Sequence, residues 1–209
     1  MITAKSVNKA NEEIDGLTDE QLDQAIDRLF GDQPEVLSFL EGYGLGDGEI
    51  QELAILLTYF VFKASEAENP GKAATVKLED FESVVDEATA WMAELERPEA
   101  IDYPPPESEP LLFGYIIKTL NEHLTAPRED GTPYTGYDQR VILMAIKMVV
   151  LALERAARRR SAEDSSSTTF WNSRNSGTHR RARLYSHLSR LSSSANQYMA
   201  RHRVSPRES

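Results

Sequence analysis

LAILLTYFVF, residues Leu53 to Phe62, has no charged side chain in ten positions. A helix that is apolar on every side has to be covered on every side, so other helices must surround it. The run is too short to cross a bilayer, which takes roughly 20 apolar residues. Its helical pattern extends outward from about Gly48 to Glu68, with Asn69-Pro70-Gly71 as the stop. A second rod of the same kind lies far downstream, where every residue from Val141 to Leu153 is apolar except Lys147. The sequence therefore reads as all-α, about six helices in an orthogonal or bundle-like domain, with these two rods packed together at its centre.

Upstream of the first rod, residues 1–16 are polar and without periodicity, and are expected to be a mobile leader. A helix start follows in which Thr18 caps the first turn, Gln21 reaches back as its capping-box partner, and Leu22, Ile26, Leu29 and Phe30 share a face. Gly31 is its expected stop. Asp32 then reads as the cap of the next helix, with Pro34 in the first turn and Val36, Phe39, Leu40 and Tyr43 inward. The glycines at 42, 44, 46 and 48 invite a phosphate-loop reading. However, G-x-G-x-x-G fails in both registers, because Asp47 or Glu49 takes the third glycine position and a helix rather than a strand precedes it. The stretch is expected to be a turn using glycine at positive φ, with Asp47 capping the first rod.

Between the rods, Phe81, Val84, Val85, Ala88, Trp91, Met92 and Leu95 form one stripe, with Glu82, Asp86, Glu87 and Glu94 opposite. At about two heptads it is core rather than a coiled-coil seam. Tyr103-Pro104-Pro105-Pro106 reads as a stiff spacer. A helix opening at Ser108 or Glu109 follows, with Leu112, Phe113, Ile116, Ile117, Leu120 and Leu124 inward. The loop from Thr125 to Gly136 is turn chemistry throughout, and it displays Arg128, Glu129, Asp130, Tyr134 and Tyr137. Thr135 with Asp138 starts the second rod.

Charge divides the chain in two. Residues 1–150 hold 11 Lys plus Arg against 30 Asp plus Glu, a net −19, whereas residues 151–209 hold 12 against 4, a net +8. All twelve cations of the second part are Arg. The acidic helical domain is thus expected over residues 17–160, and a Ser/Arg-rich tail, disordered or weakly helical, over 161–209. Arg158, Arg159 and Arg160 suit a helix C-terminus and also begin the basic set that continues with Arg180, Arg181, Arg183 and Arg190. Within the tail Leu184, Leu188, Leu191, Ala195 and Met199 recur at steps of four and three, with Arg183, Arg190 and Arg201 along one flank.

The residue inventory speaks against catalysis. There is no cysteine, which removes thiolate metal sites, disulfides and thiol nucleophiles, and the body has a single histidine, His123. Neither a Ser-His-Asp triad nor paired Glu-x-x-His motifs can be assembled, and the carboxylates sit on solvated helix faces. No enzyme activity, cofactor or metal is expected. With no secretory h-region and no transmembrane run, the expected location is cytoplasmic.

The expectation is a non-enzymatic protein-interaction module whose acidic surface meets a basic partner, with Glu82, Asp86 and Glu87 on one helix face and Arg128, Tyr134 and Tyr137 in the long loop as the contact residues. The alternative is a nucleic-acid-associated protein binding through the Arg-rich tail, where Phe170, Trp171 and Tyr185 add stacking groups. The tail also reads as a membrane-surface helix, as a strap on the acidic body, as a free solvated extension, or as read-through of another frame.

Overall fold

The computed structural model describes residues 2–45, 48–71, 74–95 and 109–166. Among them are seven helices and no strand: α1 Ala4–Asp15, α2 Asp19–Asp32, α3 Pro34–Gly42, α4 Gly48–Glu68, α5 Leu78–Leu95, α6 Pro110–Leu124 and α7 Gly136–Ser166. Asp47, the Tyr103–Pro106 spacer and everything beyond Ser166 lie outside the described residues.

The two rods, α4 and α7, pack against each other at the centre. From Ile142 to Ala152 every residue of α7 is buried, and Ala54, Leu57, Thr58, Phe60 and Val61 are buried in α4. Lys147 is buried too, and its ammonium lies 4.3 Å from the centroid of the Trp91 ring. The aromatic face offers the cation partial negative charge where water is excluded. α5 lies along α7 and buries Phe81, Val84, Ala88 and Trp91, the stripe its spacing predicts. Phe81 stacks on Phe39 of α3 at 4.3 Å between centroids, which ties the α3 end of the domain to α5.

The start of the chain overturns the expected mobile leader. Residues 4–15 are helix α1, capped by the Thr3 hydroxyl, which accepts from the Ser6 amide. Ile2, Val7 and Ala10 are buried where α1 packs on α4 and α6. Much of its attachment is polar and long-range. The Glu68 carboxylate at the end of α4 accepts from the Thr3 amide at 3.0 Å, the Thr3 hydroxyl at 2.8 Å and the Ser6 hydroxyl at 2.7 Å. These bonds hold the Glu68 carboxyl at about 2, well below the usual carboxylate range. Lys63 bridges Glu13 of α1 at 2.7 Å and Glu66 at 2.9 Å, and Asn11 accepts from the Tyr115 hydroxyl of α6. A one-dimensional apolar pattern carries none of this.

Other boundaries also moved. The capping box at Thr18 and Gln21 forms as expected, with bonds of 2.9 and 3.3 Å, but α2 runs through Gly31 to Asp32. Gln33, not Asp32, occupies the cap position of α3, and it makes no capping bond. Its buried amide instead donates to the Ala74 carbonyl at 3.1 Å and accepts from the Val76 amide at 2.9 Å. The side chain thus satisfies a loop backbone that lacks secondary-structure partners. Gly44, at φ 75°, makes the left-handed turn expected of the glycine-rich stretch. At the other end, residues 161–166, expected to begin the Ser/Arg-rich tail, continue α7.

Candidate functional site

The loop after α6 is a built structure. Gly131, at φ 83°, closes a turn in which its amide donates to the Arg128 carbonyl and the Arg128 amide donates to the Thr132 carbonyl, each at 2.9 Å. The Asp130 carboxylate accepts from the Thr132 hydroxyl at 2.6 Å and the Thr132 amide at 2.8 Å, and these bonds lower its pKa. Thr135 and Asp138 form the reciprocal cap that opens α7, with bonds of 2.7 and 3.3 Å.

The loop is fastened to the first turn of α4 through one side chain. Glu49 accepts from the Tyr134 hydroxyl at 2.5 Å and from the Glu129 amide at 3.1 Å. Donation to Glu49 pushes the Tyr134 hydroxyl up to about 12, because loss of its proton would set two negative charges together. Arg128 lies over the Tyr134 ring at 4.9 Å and pairs with Asp138 at 2.9 Å. Tyr137 is half-buried beside the buried Tyr43, and burial raises the pKa of both. Of the three loop residues expected to meet a partner, Arg128 therefore braces the loop, Tyr137 packs inward, and Tyr134 lines a surface groove.

That groove, about 770 Å³, runs between α2, the start of α4, the end of α6 and the loop. Its carboxylates are Asp23, Glu49, Glu52, Glu122 and Glu129, one or two from each of the four segments. His123 is the basic side chain among the lining residues. Apolar groups make the floor: Leu22 and Ile26 of α2 face Leu53 and Leu56 of α4. On the α2 side only Phe30 of fourteen residues is fully buried, while Leu22, Ile26 and Leu29 are partly buried, Ile26 and Leu29 against the core.

The other expected contact residues lie elsewhere. Glu82, Asp86 and Glu87 are on α5, and none lines the groove. Glu87 faces Arg155 of α7 at 3.4 Å. Of the basic set, Arg159 turns inward. It pairs with the buried Asp80 at 2.5 Å and with Glu79 at 3.4 Å, and donates to the Thr75 carbonyl at 2.9 Å. Arg158 is exposed and pairs with Glu154 one turn back at 3.5 Å, and Arg160 is half-buried on α7. Arg180, Arg181, Arg183 and Arg190 lie outside the described residues.

A second cavity, about 370 Å³, sits at the far end of the rods beside Glu68, Glu109 and Glu154. Two of these carboxylates anchor the start of the chain. Glu68 holds Thr3 and Ser6, and Glu109 accepts from the Ile2 amide at 2.5 Å. Among the described residues, no group of three or more His, Asp or Glu side chains is arranged to hold a metal ion. None of the described helices is long and apolar enough to cross a membrane.

No protein-family model, curated protein or solved structure matches this chain. Its groove is therefore read from its own chemistry. Asp23, Glu49, Glu52 and Glu122 escaped the sequence reading because they come from three helices, and each alone is an ordinary solvated carboxylate on a polar face.

Proposed function

We propose that this protein is a non-enzymatic interaction module whose acidic groove receives a basic, partly apolar segment of a partner protein. The carrying observation is the composition of the groove: five carboxylates around an apolar floor, with His123 the basic group among them. Such a surface attracts cations at long range and gives their apolar neighbours area to bury, which favours fast, salt-sensitive association. The α5 face has Glu79, Asp80 and Glu87 paired with Arg159 and Arg155 of α7, whereas in the groove Glu122 makes only a long, exposed contact of 3.8 Å with Lys118. Binding of nucleic acid through the basic set is the less favoured reading, because the Asp80 brace takes Arg159 out of it.

Affinity capture with the full chain, at low and at high salt, tests the reading when three proteins are run in parallel. The wild type is expected to retain a basic partner at low salt only. The groove variant Glu52→Lys/Glu122→Lys should lose it, and the α5 variant Asp86→Lys should keep it. Loss with Asp86→Lys but not with the groove variant would move the site to α5 and overturn the assignment.

A further inference from the structure

We infer that the groove has an occupant within its own chain, the segment from Arg183 to Arg201, which closes the site until an external partner displaces it. The inference rests on the groove being a site for basic segments, and it adds that the site is self-regulated. Three observations carry it.

The first is chemical fit. The groove offers an apolar floor edged by carboxylates, and the segment carries the complementary arrangement in sequence: Leu184, Leu188, Leu191 and Ala195 at helical steps, flanked by Arg183, Arg190 and Arg201. Recognition of a helix in a groove is read from anchors at such steps. The second is the state of α2, whose residues Leu22 and Ile26 are only partly buried at the groove floor, so that a leucine stripe laid there would add to their burial.

The third is reach. The groove lies at the N-terminal end of α4 and beside the start of α7, whereas the described part of α7 extends to Ser166, the last of its 31 residues. At a rise of about 1.5 Å per residue, α7 spans roughly 46 Å. Sixteen residues separate Ser166 from Arg183, and at about 3.3 Å each they extend to roughly 53 Å. The tether is long enough, though with little slack. A nearly taut tether lowers the effective concentration of the segment at the groove, so the closure is weak and readily exchanged.

The test uses a fluorescein-labelled peptide of residues 180–203, titrated into full-length protein at low salt. The wild type, with its own segment in place part of the time, is expected to bind the peptide about two- to threefold more weakly than the tail variant Leu184→Asp/Leu188→Asp/Leu191→Asp, an effect limited by the low local concentration. Adding Glu52→Lys/Glu122→Lys to that variant should abolish binding, as should a scrambled peptide of the same composition. In parallel, trypsin should cut the wild type after Arg183 and Arg190 more slowly at low salt than at moderate salt, and the groove variant at one fast rate in both. Equal peptide affinity for wild type and tail variant would overturn self-closure while leaving a groove that accepts basic segments. Equal binding of the scrambled peptide would overturn it as well, by reducing the contact to bulk charge. If no form binds the peptide, the occupant is wrong, and the capture experiment alone decides whether the groove takes a partner.

Discussion

The two short helices beside α4 are of similar length, twelve residues in α1 and fourteen in α2, yet one is sealed down and the other is only partly covered. α1 buries Ser6, Val7 and Ala10 and is stitched to α4 by Glu68 and Lys63 and to α6 by Asn11. α2 begins with a well-formed capping box and has its own apolar face, but buries Phe30 alone. The difference teaches that amphipathic spacing forms a helix without deciding how completely its face is covered. Coverage depends on what the neighbours present. α4 presents a carboxylate and an ammonium to α1, and to α2 it presents the edge of a groove.

Both helices depend on the central pair of α4 and α7, so a change inside that pair should reach both. Ile146 is fully buried in α7. Placing a charge there through Ile146→Asp costs several kcal/mol against a typical stability of about 5–15, and is expected to unfold α1 and α2 together. A chemical denaturation curve with a midpoint near that of the wild type would refute the central pairing of α4 and α7.

A smaller effect separates the helices. Val7→Ala empties a buried site and should cost about 2 kcal/mol, whereas Ile26→Ala, although it removes one more carbon, trims a partly buried side chain and should cost about 1 kcal/mol. Equal losses in urea unfolding would mean that α2 is as tightly seated as α1. The Ile26 change should nonetheless weaken capture of a basic partner, because that side chain lines the groove.

The smallest effect is one of pH and belongs to α1 alone. Glu68 titrates near 2 when its bonds to Ser6 and Thr3 are made, against 4.5 for a free glutamate. As pH falls, the unfolded chain takes up the proton first. The contribution of Glu68 is therefore full above about 4.5 and is lost progressively toward 2. Thermal melts between pH 6 and pH 2 should fall less steeply for Glu68→Gln than for the wild type. Parallel slopes would show that the bonds to Thr3 and Ser6 do not survive in solution.

α1 has helical spacing in Val7, Ala10 and Ile14 behind the Thr3 cap, contrary to the expected lack of periodicity, but nothing local shows that this face is seated on the domain. Its inward positions include Ser6 and Ala10, which add little to any apolar pattern, and its partners Lys63, Glu68, Glu109 and Tyr115 lie far along the chain. Arg159 misled in the opposite way. In sequence it is one of three consecutive arginines after a helix, but only the packing of α5 on α7 brings the buried Asp80 within 2.5 Å of it. The role of Gln33 has no local signature, because no local rule says that a buried amide will serve a loop some forty residues away.

What the sequence determined by itself was the all-helical class, the two central rods and the helix starts at Thr18 and Thr135, because a run without charges and a capping box are local facts. Tertiary structure alone decided that α1 is part of the domain, that Arg159 is a brace, and that five separate carboxylates edge one apolar groove. Each of these joins residues from elements distant in the chain. Their meeting depends on how the helices pack, and no single stretch of sequence records that.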